Sequence, residues 1–247
     1  MDMRVSGRGM PADAGKLVER HLRHCDHIID FLKKRSDVKH PSAASRRPTL
    51  TVFGAVGSGR GRLASALAKE LGYELFGREI LDAVALDLGC QRKLLDSLDE
   101  SAQSNIQLMF ETWLHGRIIE NQEYARALFR VIGSLAEQGG VVILGRGAAH
   151  ILGPRAALRI RVEAPLPMRV RRIMDTRNLS EDEARQFVET KDHEQRKFHS
   201  RFFHSAANDP LSYDLILNLE RLSPDKAFDL VMCALAARGI EIRRAQV

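Results

Sequence analysis

Gly54, Gly57, Gly59 and Gly61 fall between an apolar run, TLTVF, and a segment with the composition of a helix. Glycines at this spacing let backbone N–H groups turn toward a common point, and the start of the following helix adds partial positive charge. The chemistry that suits such a turn is the binding of an anion, above all a phosphate. In the Walker A frame, G-x-x-x-x-G-K-[ST], the stretch runs from Gly54 to Gly61, with Arg60 in place of Lys and Gly61 in place of Ser or Thr. Arg60 offers a permanent charge on a planar fork instead of a compact ammonium. Without a hydroxyl at Gly61, an accompanying metal has to be held by phosphates, water or another side chain. Gly54, Gly57, Ser58, Gly59, Arg60, Gly61 and Arg62 are the expected phosphate contacts, against the plainer reading of a steric strand-to-helix turn.

The elements that must position this loop follow from periodicity. Thr49 to Phe53 reads as a buried strand, Arg60 to Leu71 as a helix closed by Gly72, and Tyr73 to Phe76 as a short second strand. A mainly helical stretch from Arg78 to Gln138 is broken near Gly89 and near Ser101. Val141 to Leu144 is the clearest central strand, and Ala157 to Val162 and Tyr213 to Leu217 supply two more. Strands separated by helices predict an α/β fold whose parallel sheet is covered on both faces. The phosphate loop then lies at the C-terminal end of the first strand, where ligands enter such sheets.

Composition narrows the class. Hydrophobic residues make up 44% and charged residues 28% of 247, the balance of a globular chain with one sizeable core. No apolar run approaches the roughly 20 residues that span a bilayer, and the N-terminus lacks the apolar core of a secretory signal. A cytoplasmic location without membrane contact is the expectation. Cys25, Cys90 and Cys233 are scattered and odd in number, so they read as reduced and mostly packed thiols. Of the net charge of +6, residues 1–47 carry +5, eleven Lys/Arg against six Asp/Glu. That is too modest an excess to favour nucleic acid as a partner.

The boundary near Pro48 divides a basic N-terminal helical extension and linker, 1–47, from a body, 48–247. Val18, Leu22, Cys25, Ile29 and Leu32 form an apolar stripe on an expected helix from Ala14 to Arg35. The favoured reading docks this stripe on the protein's own body; the alternative makes residues 14–35 a homodimer seam or a partner site. His21, His24 and His27 drift around the same helix and cannot converge on one ion. No metal site is expected anywhere, and no Ser-His-Asp order, Cys-His pair or carboxylate dyad supports a hydrolytic mechanism.

Several segments, in order, carry a resemblance: GSGRGRLASALAKELGYELFGREIL, VVILGRGAAHIL, APLPMRVRRIM, NLSEDEA and YDLILNLERLSPDKAFDLV. From about Thr49 onward the chain resembles the cytidylate kinase-like family. The resemblance implies a P-loop kinase fold with a parallel sheet of about five strands. It also implies ATP with Mg²⁺ as cofactor and transfer of the γ-phosphate to a nucleoside monophosphate such as CMP. It further places Arg60, Arg169, Arg172 and Arg196 as catalytic cations and Arg78, Arg146 and Asp192 as acceptor contacts. Arg169 and Arg172 would belong to a lid over ATP, against the plain reading of a solvated basic face. Lys191 and Arg201 would lie with Asp192 on a lid arm, where Gln195 and Arg196 compete for one position. His193, His199 and His204 read as polar lid residues. The chain departs from the family at Gly77 and Gly147, each of which stands where a carboxylate is usual. The same residues therefore also fit a nucleotide-binding module without turnover, whose N-terminal helix engages a partner.

Overall fold

The strand Thr49–Gly54 (β1) is the middle of a five-stranded sheet. The computed structural model describes residues 26–28, 30–31, 47–115, 121–203 and 209–240. The other strands are Glu74–Phe76 (β2), Val141–Leu144 (β3), Leu158–Glu163 (β4) and Leu215–Asn218 (β5). All pairings are parallel and the order is β2-β3-β1-β4-β5. With a glycine loop joining the central strand to a helix, this is the P-loop kinase fold.

Alternation along the strands divides the core between two faces. Leu50, Val52, Val142, Ile160 and Val162 meet the helices Arg60–Leu71 (α1) and Pro224–Ala237 (α9). Val141 and Ile143 point the other way, into a larger cluster. There they meet the helices Arg78–Leu86 (α2), Leu88–Asp96 (α3), Glu100–Leu114 (α4), Gln122–Gln138 (α5) and Ala148–Leu152 (α6). The helices Leu166–Arg177 (α7) and Glu181–Phe203 (α8) share a third, small cluster of Val170, Ile173, Ala184 and Val188, against which Val56 of the loop packs. The loop thus rests on the α7–α8 pair as well as on the sheet.

Four boundaries differ from expectation for local reasons. Tyr73 is part of the α1 cap, because its N–H donates to Ala68 O at 2.8 Å while Gly72 adopts φ 61°. The break in the long helical stretch falls at Asp87, whose carboxylate caps Cys90 N at 2.8 Å, rather than at Gly89. The next falls at Asp99, which caps Ala102 N at 2.7 Å, ahead of Ser101. Tyr213 closes the 3₁₀ turn Pro210–Ser212, so β5 begins after it.

Near the N-terminus, the described residues between Asp26 and Phe31 are helical, and Ile28 and Phe31 are buried against the body. Phe31 and His27 meet the Phe76 ring edge-on at 5.3 and 5.4 Å. His27 Nε2 also lies 3.7 Å from Glu74. The five residues of the apolar stripe, with His21 and His24, lie outside the described residues. Among the described residues, no helix is long and apolar enough to cross a membrane.

Candidate functional site

The loop between β1 and α1 needs glycine for reasons visible atom by atom. Gly57 and Gly59 have φ of 79° and 98°, and a Cβ at Gly57 would sit 2.6 Å from the backbone oxygen of Arg169. Gly59 starts α1 without a side-chain cap, and the first turn holds no acidic residue. An anion there would meet the uncapped helix N-terminus and no carboxylate. Ser58 is fully buried, and Arg62 faces solvent. A Cβ at Gly61 would meet nothing within 4 Å, so this position is open. Arg60 folds back over the loop: Nη1 donates to Gly54 O, and to Gln195 Oε1 at 3.3 Å. Gln195 Nε2 in turn donates to Gly54 O at 3.2 Å. Burial, followed by the charge of Arg78, lowers the Arg60 pKa to about 10, which leaves it charged at neutral pH.

Arg169 and Arg172 are struts beneath this loop. Arg169 Nη1 donates to Val56 O at 3.2 Å and to both oxygens of Asp192, at 3.0 and 2.9 Å. Arg172 donates to Ser58 O at 2.8 Å, Gly57 O at 3.3 Å and Leu219 O at 3.1 Å. Three successive loop carbonyls are therefore turned toward arginine, and their trans peptide planes turn the amides of Gly57 and Gly59 to the opposite side. A solvated basic face does not describe these two residues. Asp192, expected at the acceptor, is instead the ion partner of Arg169.

A second cationic group lies on the other side of α8. Arg78 opens α2 and lies 3.9 Å from Asp82 and 3.7 Å from Glu194. Arg146, in the Gly145-Arg146-Gly147 turn, has φ 49° and donates through Nε and Nη2 to the two oxygens of Asp82. Tyr124 Oη donates to Asp82 Oδ1 at 2.7 Å, and the Arg146 guanidinium lies 4.6 Å over the Phe198 ring. Burial opposes charge on Arg146, but the hydrogen bonds to Asp82, together with the electrostatic pull of Tyr124, Asp82 and Glu194, outweigh it and hold its pKa above the ordinary value. At Gly147 a Cβ would run into the Phe203 ring, so the space of a side chain there is already filled. Asp82 escaped the sequence reading, although its i,i+4 spacing from Arg78 puts both on one face of α2.

One helix joins the two groups. On α8, Asp192 and Gln195 face the loop, Glu194 and Phe198 face the second arginines, and His199 packs against Phe53 at 4.8 Å. The ambiguity between Gln195 and Arg196 resolves to Gln195; Arg196 and Arg201 are exposed and are not brought to the loop. Lys191 pairs with Glu194 at 2.7 Å. His193 is exposed, while His204 lies outside the described residues. His199 and His150 are kept neutral chiefly by burial, at about 3 and about 4.

The geometry fits the phosphates of a nucleotide at the uncapped start of α1. Among the described residues, no group of three or more His, Cys, Asp or Glu could hold a metal.

The sequence profile of the cytidylate kinase-like family matches residues 49–221. A cytidylate kinase of Natronomonas pharaonis is 30% identical over 190 residues, covering 76% of this chain and 89% of that one. A cytidylate kinase of Methanopyrus kandleri is 26% identical over 196 residues, covering 75% and 92%. An uncharacterized protein of Eubacterium ventriosum, known as a crystal structure, superposes with a TM-score of 0.59 at 22% identity, over 78% of this chain and 99% of that one. That last likeness bears on the fold alone.

Proposed function

This chain belongs to the cytidylate kinase-like family, and from that premise we propose that it transfers the γ-phosphoryl group of ATP to a nucleoside monophosphate such as CMP. The observation that carries the reading is α8, a single helix that touches the glycine loop through Gln195 and the acceptor-side arginines through Glu194 and Phe198. Phosphoryl transfer needs two substrates in line with positive charge between them, more than it needs covalent help. Bound Mg-ATP would supply the phosphoryl group and the charge of its ion.

The residues of the chain do the rest. The uncapped α1 N-terminus and Arg60 hold the phosphates, with Arg60 leaving the Gly54 carbonyl to do so. Arg169 and Arg172 keep the loop carbonyls turned away, so that amides face the ligand. Arg78 and Arg146 take the acceptor phosphate. Asp192 serves the loop through Arg169, and Arg196 would reach a phosphate only if α8 moved. Of the extension 1–47, the described residues Ile28 and Phe31 pack on the 48–247 body.

A specific observation favours a second reading, nucleotide binding without turnover. Gly61 has no hydroxyl, and the α8 residue at the loop is the uncharged Gln195. The test of both is ADP release from Mg-ATP across a panel of nucleoside monophosphates, with Arg60→Ala as control. Acceptor-dependent release that the substitution abolishes is expected. Absence of release, with ATP still bound and weakened by Arg60→Ala, would overturn transfer in favour of the binding module.

A further inference from the structure

Asp82 lies outside every motif that drew attention to Arg146, yet it grips that arginine along one whole edge. Both carboxylate oxygens accept, one from Nε and one from Nη2, while Nη1 has no partner among the described residues. Phe198 covers a face of the same guanidinium at 4.6 Å. The arginine is therefore fixed by edge and by face, with its remaining corner free. Its backbone is held as well, in a left-handed turn between two glycines.

Asp82 is itself braced from behind. Tyr124, on α5, donates to Oδ1 at 2.7 Å, and burial raises the phenol's pKa so that the donated proton stays in place. A carboxylate that merely stood in for an absent phosphate would have to swing out when the phosphate arrived. A second anchor on a separate helix works against such movement, whereas it suits a carboxylate whose task is to keep an arginine aimed.

We propose that Asp82, backed by Tyr124, is a positioning residue that aims the free side of Arg146 at the phosphate of the acceptor. This takes the class of ligand, a phosphomonoester, from the kinase reading above. Asp82 thus supplies from α2 a carboxylate to an acceptor site that has glycine at 77 and 147. It acts through Arg146 and does not touch the reacting atoms.

The experiment compares full-length wild type, Asp82→Ala, Asp82→Asn, Tyr124→Phe, Arg146→Ala and the Asp82→Ala/Arg146→Ala pair. Rates are measured with Mg-ATP and CMP, and CMP binding is measured by calorimetry. Asp82→Ala is expected to raise the CMP KM on the order of tenfold, the scale of one charge-assisted contact. The ATP KM should stay within about twofold, Asp82→Asn should fall between, and Tyr124→Phe should cost a few-fold. In the Arg146→Ala background, Asp82→Ala should add nothing, which a merely structural role would not produce. An unchanged or lowered CMP KM in Asp82→Ala, or an equal loss without Arg146, overturns the proposal. If wild type binds CMP without turning it over, the kinase reading falls while the same series, read as CMP Kd, still decides the role of Asp82. If wild type binds none of CMP, UMP, AMP or GMP, the positioning role falls too.

Discussion

On the glycine-loop side of α8, arginines hold backbone carbonyls, with Asp192 as a further partner of Arg169; on the other side their hydrogen-bonding and ion partners are carboxylates. Arg169 and Arg172 hold the carbonyls of Val56, Gly57 and Ser58, and the start of α7 presses so closely on Gly57 that a methyl group would collide with it. The second group, Arg78 and Arg146 with Asp82, is a side-chain network between α2 and the turn after β3. The first arrangement cannot form without the fold around it, and the fold gains stability from it. The second can be dismantled with the fold left standing.

The sharpest way to break this contrast is Gly57→Ala. Strain at φ 79° and contact with the Arg169 backbone together should cost about 4 kcal/mol, read from the denaturant midpoint. Arg169→Ala comes next, since it strands a half-buried Asp192; about 3 kcal/mol should be lost, with partial recovery in the double variant lacking Asp192 as well. Asp82→Ala should cost only about 1 kcal/mol of stability, because its pair is wetter. If it cost as much as Arg169→Ala, the two sides would be alike after all.

Acid probes the seam between them. His199 lies among His150, Arg146, Arg60 and Arg161, and burial first, then these charges, depresses it from 6.5 to about 3; His150 falls to about 4, again chiefly through burial. The folded rings stay neutral where the unfolded chain takes up protons, so this contribution is complete above about pH 6.5 and is lost as pH falls toward about 4 for His150 and about 3 for His199. A loss of about 2 kcal/mol for each ring, about 4 kcal/mol for the pair, is expected between pH 7 and 5, and His199→Phe should about halve the slope. The smallest effect is Gly61→Ser. Open space there predicts a stability change within about 0.5 kcal/mol, so any gain in ADP release would report metal placement alone.

The same contrast explains what could be read from sequence. β3 and α1 have the bounds expected of them, because a Gly-Gly pair, a glycine loop and a capping glycine mark their ends within a few residues. The phosphate loop was legible for that reason. Asp82, by contrast, matters only because α2, α5 and the turn after β3 meet in space, with Tyr124 and Arg146 42 and 64 positions away in the chain. Gln195 was masked by its neighbour Arg196, since a charge attracts attention and only the rotation of α8 decides which residue faces Gly54. Arg169 and Arg172 read as lid arginines over ATP or as a solvated face, because RVRR carries no sign of the loop carbonyls that they hold.

The Phe203 ring that fills the space beside Gly147 imposes an order on change. Aspartate tolerates a left-handed backbone better than most residues, so φ 69° alone would not bar it from position 147. The aromatic ring would. A lineage or a designer moving between the glycine and the carboxylate version of this turn must therefore shrink residue 203 first, and the path taken in reverse passes through a misfit.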